Sequence, residues 1–383
     1  MTPNLESKLP RVGTTIFTVM SQLAVEHDAV NLGQGFPDFA PSPQLVDALS
    51  QAMADGHNQY PAGVGLPALR EQIAIKTEVL YGRPTDPATE ITITSGATEA
   101  IFAAIAAVVH AGDEVMVLDP AYDCYQPAID LQNARAVRVP LTVPGFAVDW
   151  QRVADAITPR TRMIIINSPH NPTGAVLSAA DLDTLADLLR DTGVFVLSDE
   201  VYEHMVFDGA DHQSVARHAE LAARSFIVSS FGKTYHCTGW KVGYCIAPPA
   251  LTAEFRKVHQ YLTFATFGPA QWAFAHILAH DVDHYRNLPT FYQRKRDDFR
   301  AMLAPTALTL LDVPGGYFQL VDYSAVRDVD DIAFSQWLVR EAGVAVVPLS
   351  PFFDTPPDTR LVRLCFAKSD ATLLAGAERL AAL

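Results

Sequence analysis

Residues 91–118 read ITITSGATEAIFAAIAAVVHAGDEVMVL, and this stretch decides the fold class. Ile91–Thr94 is a short β-branched run ended by Ser95-Gly96. From Thr98 to His110 the composition turns to Ala, Ile and Val with no proline, which predicts a helix apolar on most of its sides. Gly112-Asp113 breaks that helix, and Glu114–Leu118 begins a second strand. Apolar strands joined by an apolar helix need cover on both faces, which is the signature of a mainly parallel α/β sheet.

The alternation continues outward. Strands are expected at Ala136–Val139, Met163–Asn167, Val194–Ser198, Phe226–Ser229 and Val242–Ile246, with helices near Cys124–Leu131 and over Ala179–Arg190. Beyond about residue 247 the pattern changes. Leu251–Phe264 and Pro269–Leu303 read as helices, followed by a strand near Tyr317–Val321, a helix over Asp330–Ala342, strands at Val344–Val347 and Leu361–Phe366, and a last helix. The expected architecture is α/β. A large domain, 46–280, has a mainly parallel mixed sheet flanked by helices, and a smaller α+β domain is made from 281–383 with residues 1–45. The first 45 residues show little periodicity and are expected to pack against the smaller unit. A chain of 383 residues at ~150 per domain agrees with this division.

Composition narrows the function. Lys and Arg number 28 against 43 Asp and Glu, a net charge of −15, which argues against a basic surface for nucleic acid. Hydrophobic residues are 49% and charged ones 19%, enough for a large core and unlike a disordered chain. The apolar run Ile101–Val109 falls far short of the roughly 20 residues that span a bilayer. Met1–Met20 has no continuous apolar core, so no signal peptide is expected. Cys124, Cys237, Cys245 and Cys365 form no CxxC pair, so neither disulfide framework nor cysteine zinc site is expected. A cytoplasmic protein is the expectation.

Ligands of open α/β sheets bind beyond the carboxyl ends of the strands, and four polar segments stand there. Ser95-Gly96-Ala97-Thr98-Glu99 offers free N–H groups at a helix start, a candidate anion site, though taken alone it reads first as a plain N-cap. Asn167–Gly174 carries two prolines that fix the turn around Asn171. Ser198-Asp199-Glu200-Val201-Tyr202 puts a carboxylate at the end of a buried strand, where it needs a partner. Ser229–His236 places Lys233 after Gly and small hydroxyls, with Lys241 nearby; an amine desolvated beside another cation has a lowered pKa and gains nucleophilicity. No GxxxxGK[ST] motif is present. His276, His280 and His284 recur at helical spacing but read as a solvated face, and no metal is expected. Asp328–Asp331 reads as a helix start, and Cys237 as packing.

Taken in order, these segments resemble the class I aminotransferases of fold type I, which depend on pyridoxal phosphate. The resemblance runs from Tyr60–Arg70 (YPAGVGLPALR) through Ser95–Glu99, the Asn171 and Asp199 segments, Ser-Phe-Gly-Lys233 and Gly-Trp-Lys241 to Arg363, and covers essentially the whole chain. Gly33–Asp38 (GQGFPD), Ser229–His236 and Val258–Phe264 more narrowly resemble the bacterial methionine aminotransferases, in the kynurenine aminotransferase/glutamine transaminase branch.

The resemblance implies roles residue by residue. Lys233 would hold the cofactor through its amine and then serve as the base moving the Cα proton. Asp199 would pair with the ring nitrogen, while Asn171 and Tyr202 would bond the ring hydroxyl oxygen. Gly96, Ala97, Thr98, Ser230 and Lys241 would hold the phosphate, Lys241 standing where some relatives carry Arg. Tyr122 would stack on the ring, and Tyr60 would reach the phosphate from a partner subunit, implying a homodimer with shared sites. Arg363 would clamp the substrate carboxylate, with Gly35 and Asn171 nearby. The reaction implied is transfer of an amino group from an uncharged, bulky amino acid (methionine, aromatic or glutamine-like) to a 2-oxo acid. Aromatic walls from Phe17, Tyr60, Tyr122, Tyr261, Phe264, Phe267 and Phe352 are expected around the donor side chain. A C–S β-lyase on the same scaffold and a non-catalytic cofactor-binding regulator are the alternatives.

Overall fold

Residues 5–383 are described by a computed structural model. The chain enters through α1 (Ile16–Glu26), the short strand β1 (Val30–Asn31), α2 (Pro43–Ala54) and α3 (Pro67–Tyr81). It then alternates: β2 (Ile91–Thr94), α4 (Gly96–Val108), β3 (Glu114–Asp119), α5 (Tyr125–Asp130), β4 (Arg135–Pro140), α6 (Trp150–Ala156), β5 (Thr161–Asn167), α7 (Ala179–Leu189), β6 (Phe195–Asp199), α8 (Ala219–Ala222), β7 (Ser225–Ser230), α9 (Phe231–Thr234) and β8 (Gly243–Ile246). Helices α10 (Pro249–Leu262), α11 (Gly268–His280) and α12 (Val282–Leu303) lead to β9 (Thr309–Leu310), β10 (Phe318–Asp322), α13 (Asp331–Ala342), β11 (Val344–Ala345), β12 (Val347–Pro348), β13 (Leu361–Cys365) and α14 (Asp370–Ala381).

Seven strands form one sheet in the order β2-β8-β7-β6-β5-β3-β4. β8 runs antiparallel to both neighbours and the other pairings are parallel. Every residue of β2, β3 and β8 is buried, as strands covered on both faces require. The chain passes outward from β3 to β4 and then returns to build the other side from β5. That reversal between β3 and β5 opens a crevice at their carboxyl ends, where ligands of such sheets sit. Register puts Asn167 beside Asp199 and Asp199 beside Val228 at that edge.

A second sheet, β12-β13-β10-β9, is antiparallel, and β1 pairs with β11 in parallel. Arg363 lies mid-strand in β13, between Leu320 of β10 and Val347 of β12. α1 packs on α13 and β11, as expected for the N-terminal segment. Two expected elements are corrected. Pro269–Leu303 is broken at Asp281, whose φ of −135° and ψ of 59° leave helical space. The break lets α11 follow α2 and α3 while α12 packs on α14. Val344–Val347 is divided between two sheets, its first half pairing with β1 and its second beginning β12. Among the described residues no helix is long and apolar enough to cross a membrane.

Candidate active site

Beyond the carboxyl ends of β5, β6 and β7 lies a cavity of about 150 Å³. One wall is the start of α4. Gly96 has φ of +72°, a left-handed backbone that favours glycine, and a Cβ there would crowd the Lys241 ammonium nitrogen at 3.2 Å. Ala97, Thr98, Ser230 and Lys241 border the same space. Lys241 itself is held at a left-handed φ of 53°, which ends the short turn Thr238–Trp240. A helix start, with its unpaired N–H groups and partial positive charge, joined by an ammonium and a hydroxyl, is a built anion site.

The opposite end is acidic. Asp199 is 4% exposed; its Oδ2 accepts from the Tyr125 hydroxyl at 2.6 Å and its Oδ1 from the Val201 N–H at 3.4 Å. Burial pushes its carboxyl up to about 6, although the Tyr125 hydrogen bond opposes the rise. Asn167 ties this corner together, donating to the Asp199 carbonyl at 2.8 Å and accepting from the Asn171 N–H at 2.8 Å. A desolvated carboxylate facing a cavity is ready for a cationic ligand atom.

Lys233, on the single turn α9, points its amine between these ends. Its Nζ donates to the Gly35 carbonyl at 3.0 Å and to the Tyr317 hydroxyl oxygen at 2.9 Å. Burial pulls the amine down to about 8, Arg363 and Lys241 adding to the fall while Asp199 and Cys365 oppose it. Such an amine is still mostly protonated near physiological pH, but its neutral, nucleophilic fraction is far larger than that of an ordinary lysine.

A wider cavity of about 570 Å³ opens outward from Lys233 and shares Tyr122, Asn171, Tyr202 and Lys233 with the first. Arg363 lies at its base, 1% exposed. Its guanidinium donates to Asn171 Oδ1 at 2.7 Å and to the Gly33 carbonyl at 3.2 Å, both neutral oxygens, and its Nε has no partner. Phe318 lies 3.9 Å from the guanidinium carbon, with Phe17 at 5.2 Å and Phe352 at 5.6 Å. A buried guanidinium hydrogen-bonded only to neutral groups is suited to a carboxylate brought by a ligand.

All the expected site residues except Tyr60 border these two cavities. Tyr60 is 79% exposed, its ring edge-on to Phe264 at 5.1 Å. Tyr261, Phe264 and Phe267 are exposed as well, so the expectation that they wall the donor side chain is corrected: within one chain they lie on the outer surface, at the end of α10 and the start of α11. Of the expected wall, Phe17 and Tyr122 do line the wider cavity, joined by Phe36, Tyr202 and Phe318. The sequence reading missed Tyr125, Tyr317 and Phe318, buried aromatics that look like core in a linear sequence. The pair Gly315-Gly316 before Tyr317 was the available signal. His276 and His280 are exposed on α11 while His284 stacks on Tyr235, so the three share no site.

The donor set fits pyridoxal phosphate: an anion cradle at one end, a carboxylate ready for a protonated ring nitrogen at the other, and a depressed amine between. Residues 27–380 match the family of aminotransferase class I and II. Among curated relatives, the chain is 52% identical to a methionine aminotransferase of Escherichia coli, over 98% of this chain and 97% of that one. It is 34% identical to rat kynurenine–oxoglutarate transaminase 1, over 99% and 98%. Among solved structures, an Escherichia coli protein identified with a methionine aminotransferase function superposes with a TM-score of 0.98 at 52% identity, covering all of both chains. N-succinyldiaminopimelate aminotransferase from Mycobacterium tuberculosis gives 0.95 at 41%, covering 99% of this chain and 100% of that one.

Proposed function

This chain belongs to the aminotransferase class I and II family, and from that premise we propose which of its residues carry the reaction and which donors it takes. It is a pyridoxal-phosphate-dependent aminotransferase that works on amino acids and 2-oxo acids. When bound, the cofactor supplies an electron sink for the charge left at Cα as its proton departs. Gly96, Ala97, Thr98, Ser230 and Lys241 hold the phosphate. Asp199 holds a proton on the ring nitrogen, and its burial strengthens that pairing. Tyr122 covers one ring face, while Asn171 and Tyr202 bond the ring hydroxyl oxygen. Lys233 binds the group through its amine and, when free, takes the Cα proton. Arg363 grips the substrate carboxylate, with Asn171 and the backbone at Gly35 bordering it.

The preferred donors are uncharged and bulky, with methionine first and aromatic amino acids and glutamine after it. The observation that carries this reading is the wall of the wider cavity. Its only cations among the described residues are Lys233 and Arg363, both already committed, and the rest combines Phe17, Phe36 and Phe318 with the uncharged polar side chains of Thr18, Ser21, Gln22 and Gln34. Aromatic walls suit a flexible thioether. A side-chain carboxylate would find no uncommitted cation there, which weighs against donors of the succinylated diaminopimelate kind. The test is kcat/KM for methionine, phenylalanine, glutamine, kynurenine and aspartate with one 2-oxo acid. Aspartate should fall at least about 100-fold below methionine; aspartate in the lead overturns the reading. Pyruvate and ammonia measured in the same tubes separate transfer from β-elimination.

The working unit is a homodimer in which Tyr60 serves the partner's phosphate site. Its exposure beside Phe264, outside its own chain's cavities, supports this. Residues 46–280 form the larger, cofactor-holding domain, and 1–45 with 281–383 the smaller, of which the first four lie outside the described residues. Residence in the cytoplasm accords with four free cysteines.

A further inference from the structure

We infer that Tyr317 and the Gly35 carbonyl form a cradle for the Lys233 amine during the part of the cycle in which that amine is free, so that Tyr317 acts on the reacting nitrogen itself. The inference rests on the assignment of Lys233 made above. Three oxygen and nitrogen atoms close a triangle. Lys233 Nζ donates to the Tyr317 oxygen at 2.9 Å and to the Gly35 carbonyl at 3.0 Å, while the Tyr317 hydroxyl donates its own proton to Gly35 at 2.6 Å. An ammonium has three N–H bonds. Two are taken by the cradle, and the third has no partner among the described residues, leaving it for the cavity. The cradle therefore fixes the direction in which the amine delivers and collects its proton.

The placement of Tyr317 is determined from several sides. Gly316 has φ of +74° and donates to the Met205 carbonyl at 2.8 Å, while Gly315 donates to Gly174 at 3.0 Å. A Cβ on Gly315 would stand 2.7 Å from Val176 and 2.9 Å from the Met205 oxygen, so no larger residue fits this turn. The Tyr317 ring is then held edge-on to Tyr202 at 5.0 Å. Gly35 is anchored through its neighbours, because Lys368 donates to the Phe36 carbonyl at 2.7 Å. Packing alone would be served by phenylalanine. Tyr292, beside Tyr317, shows the contrast: its buried hydroxyl has no partner, whereas both partners of the Tyr317 hydroxyl belong to the site. The titratable and charged groups facing the amine are Asp199 from β6, Tyr202 and Lys241, and Arg363 and Cys365 from β13. The cradle is the neutral counterweight to them, favouring the ammonium by two accepted hydrogen bonds.

The test uses full-length apoprotein mixed with pyridoxal phosphate between about pH 6 and 10, following the rate of capture by absorbance, with borohydride fixation and peptide mapping. Wild type and Tyr292→Phe should share a midpoint near about 8. Tyr317→Phe removes one acceptor from the ammonium, so its midpoint should fall by about one pH unit. Its kcat should fall about tenfold while KM for methionine stays within about twofold. An unchanged or raised midpoint in folded Tyr317→Phe, judged by its melting temperature, overturns the cradle. Tyr317→Met gives the same comparison should Tyr317→Phe not fold. Lys233→Ala separates the two levels. If it still captures the cofactor covalently at the wild-type rate, the Lys233 assignment has failed, whatever Tyr317 does.

Discussion

The inner cavity is walled by residues that each stand a few positions from a strand end or helix start, whereas the outer one is assembled from α1, the loop at Gly35, β10 and β13. Asp199 ends β6, Ser230 ends β7, Lys233 follows at once, and Gly96 opens α4. Arg363, by contrast, reaches the Gly33 carbonyl across 330 positions of sequence. The inner wall is polar and set by sheet register; the outer wall mixes aromatic with uncharged polar side chains and borrows from the second sheet. With the roles proposed above, the difference amounts to a division of labour: inner residues would set the electronics and proton movement, and outer ones what is admitted. Substitutions inside should therefore lower kcat, and those outside should change kcat/KM, with donor ranking altered only where the side chain faces the donor's own side chain.

The largest effect belongs to Lys233→Ala. Losing both the tether and the base should lower kcat by about 10⁴ or more, measured in steady state with saturating cofactor; a smaller loss would shift the base elsewhere. Asp199→Asn keeps the shape and removes the charge, so kcat should drop about 10²–10³-fold with cofactor occupancy nearly intact. A loss of occupancy without a loss of kcat would make Asp199 a mere binding residue. Across the boundary, Arg363→Lys keeps the charge but loses the planar fork. It should cost about 10² in kcat/KM for every amino acid alike, and a loss selective for one donor would break the comparison. The smallest change is Phe17→Ala, which should weaken methionine about three- to tenfold in kcat/KM and leave kcat close to wild type.

The seven-stranded sheet was legible because most of its strands are largely apolar and buried and the helices between them change period sharply. α1 was not. Of its eleven residues only Met20 and Ala24 are fully buried, and Phe17, Thr18, Ser21, Gln22 and Val25 face the open outer cavity, so its apolar stripe is too narrow to show periodicity. Lys233, Asp199 and Asn171 were legible as polar residues following apolar strands. Tyr125, opening α5, and Tyr317, just before β10, were hidden because a buried aromatic reads as core, and only the folded chain shows their hydroxyls turned toward Asp199 and Lys233. The surface position of Tyr261, Phe264 and Phe267 was equally hidden, since composition ranks aromatics as buried whichever surface they serve.

Aminotransfer makes a stoichiometric demand that no other reading of this site shares. Cofactor-loaded protein mixed with excess methionine and no acceptor should release one 2-oxo acid per site and then stop, resuming only when a second 2-oxo acid is added, and Lys233→Ala should release none. Continuous product formation without an acceptor, with ammonia accumulating in step, would contradict the account.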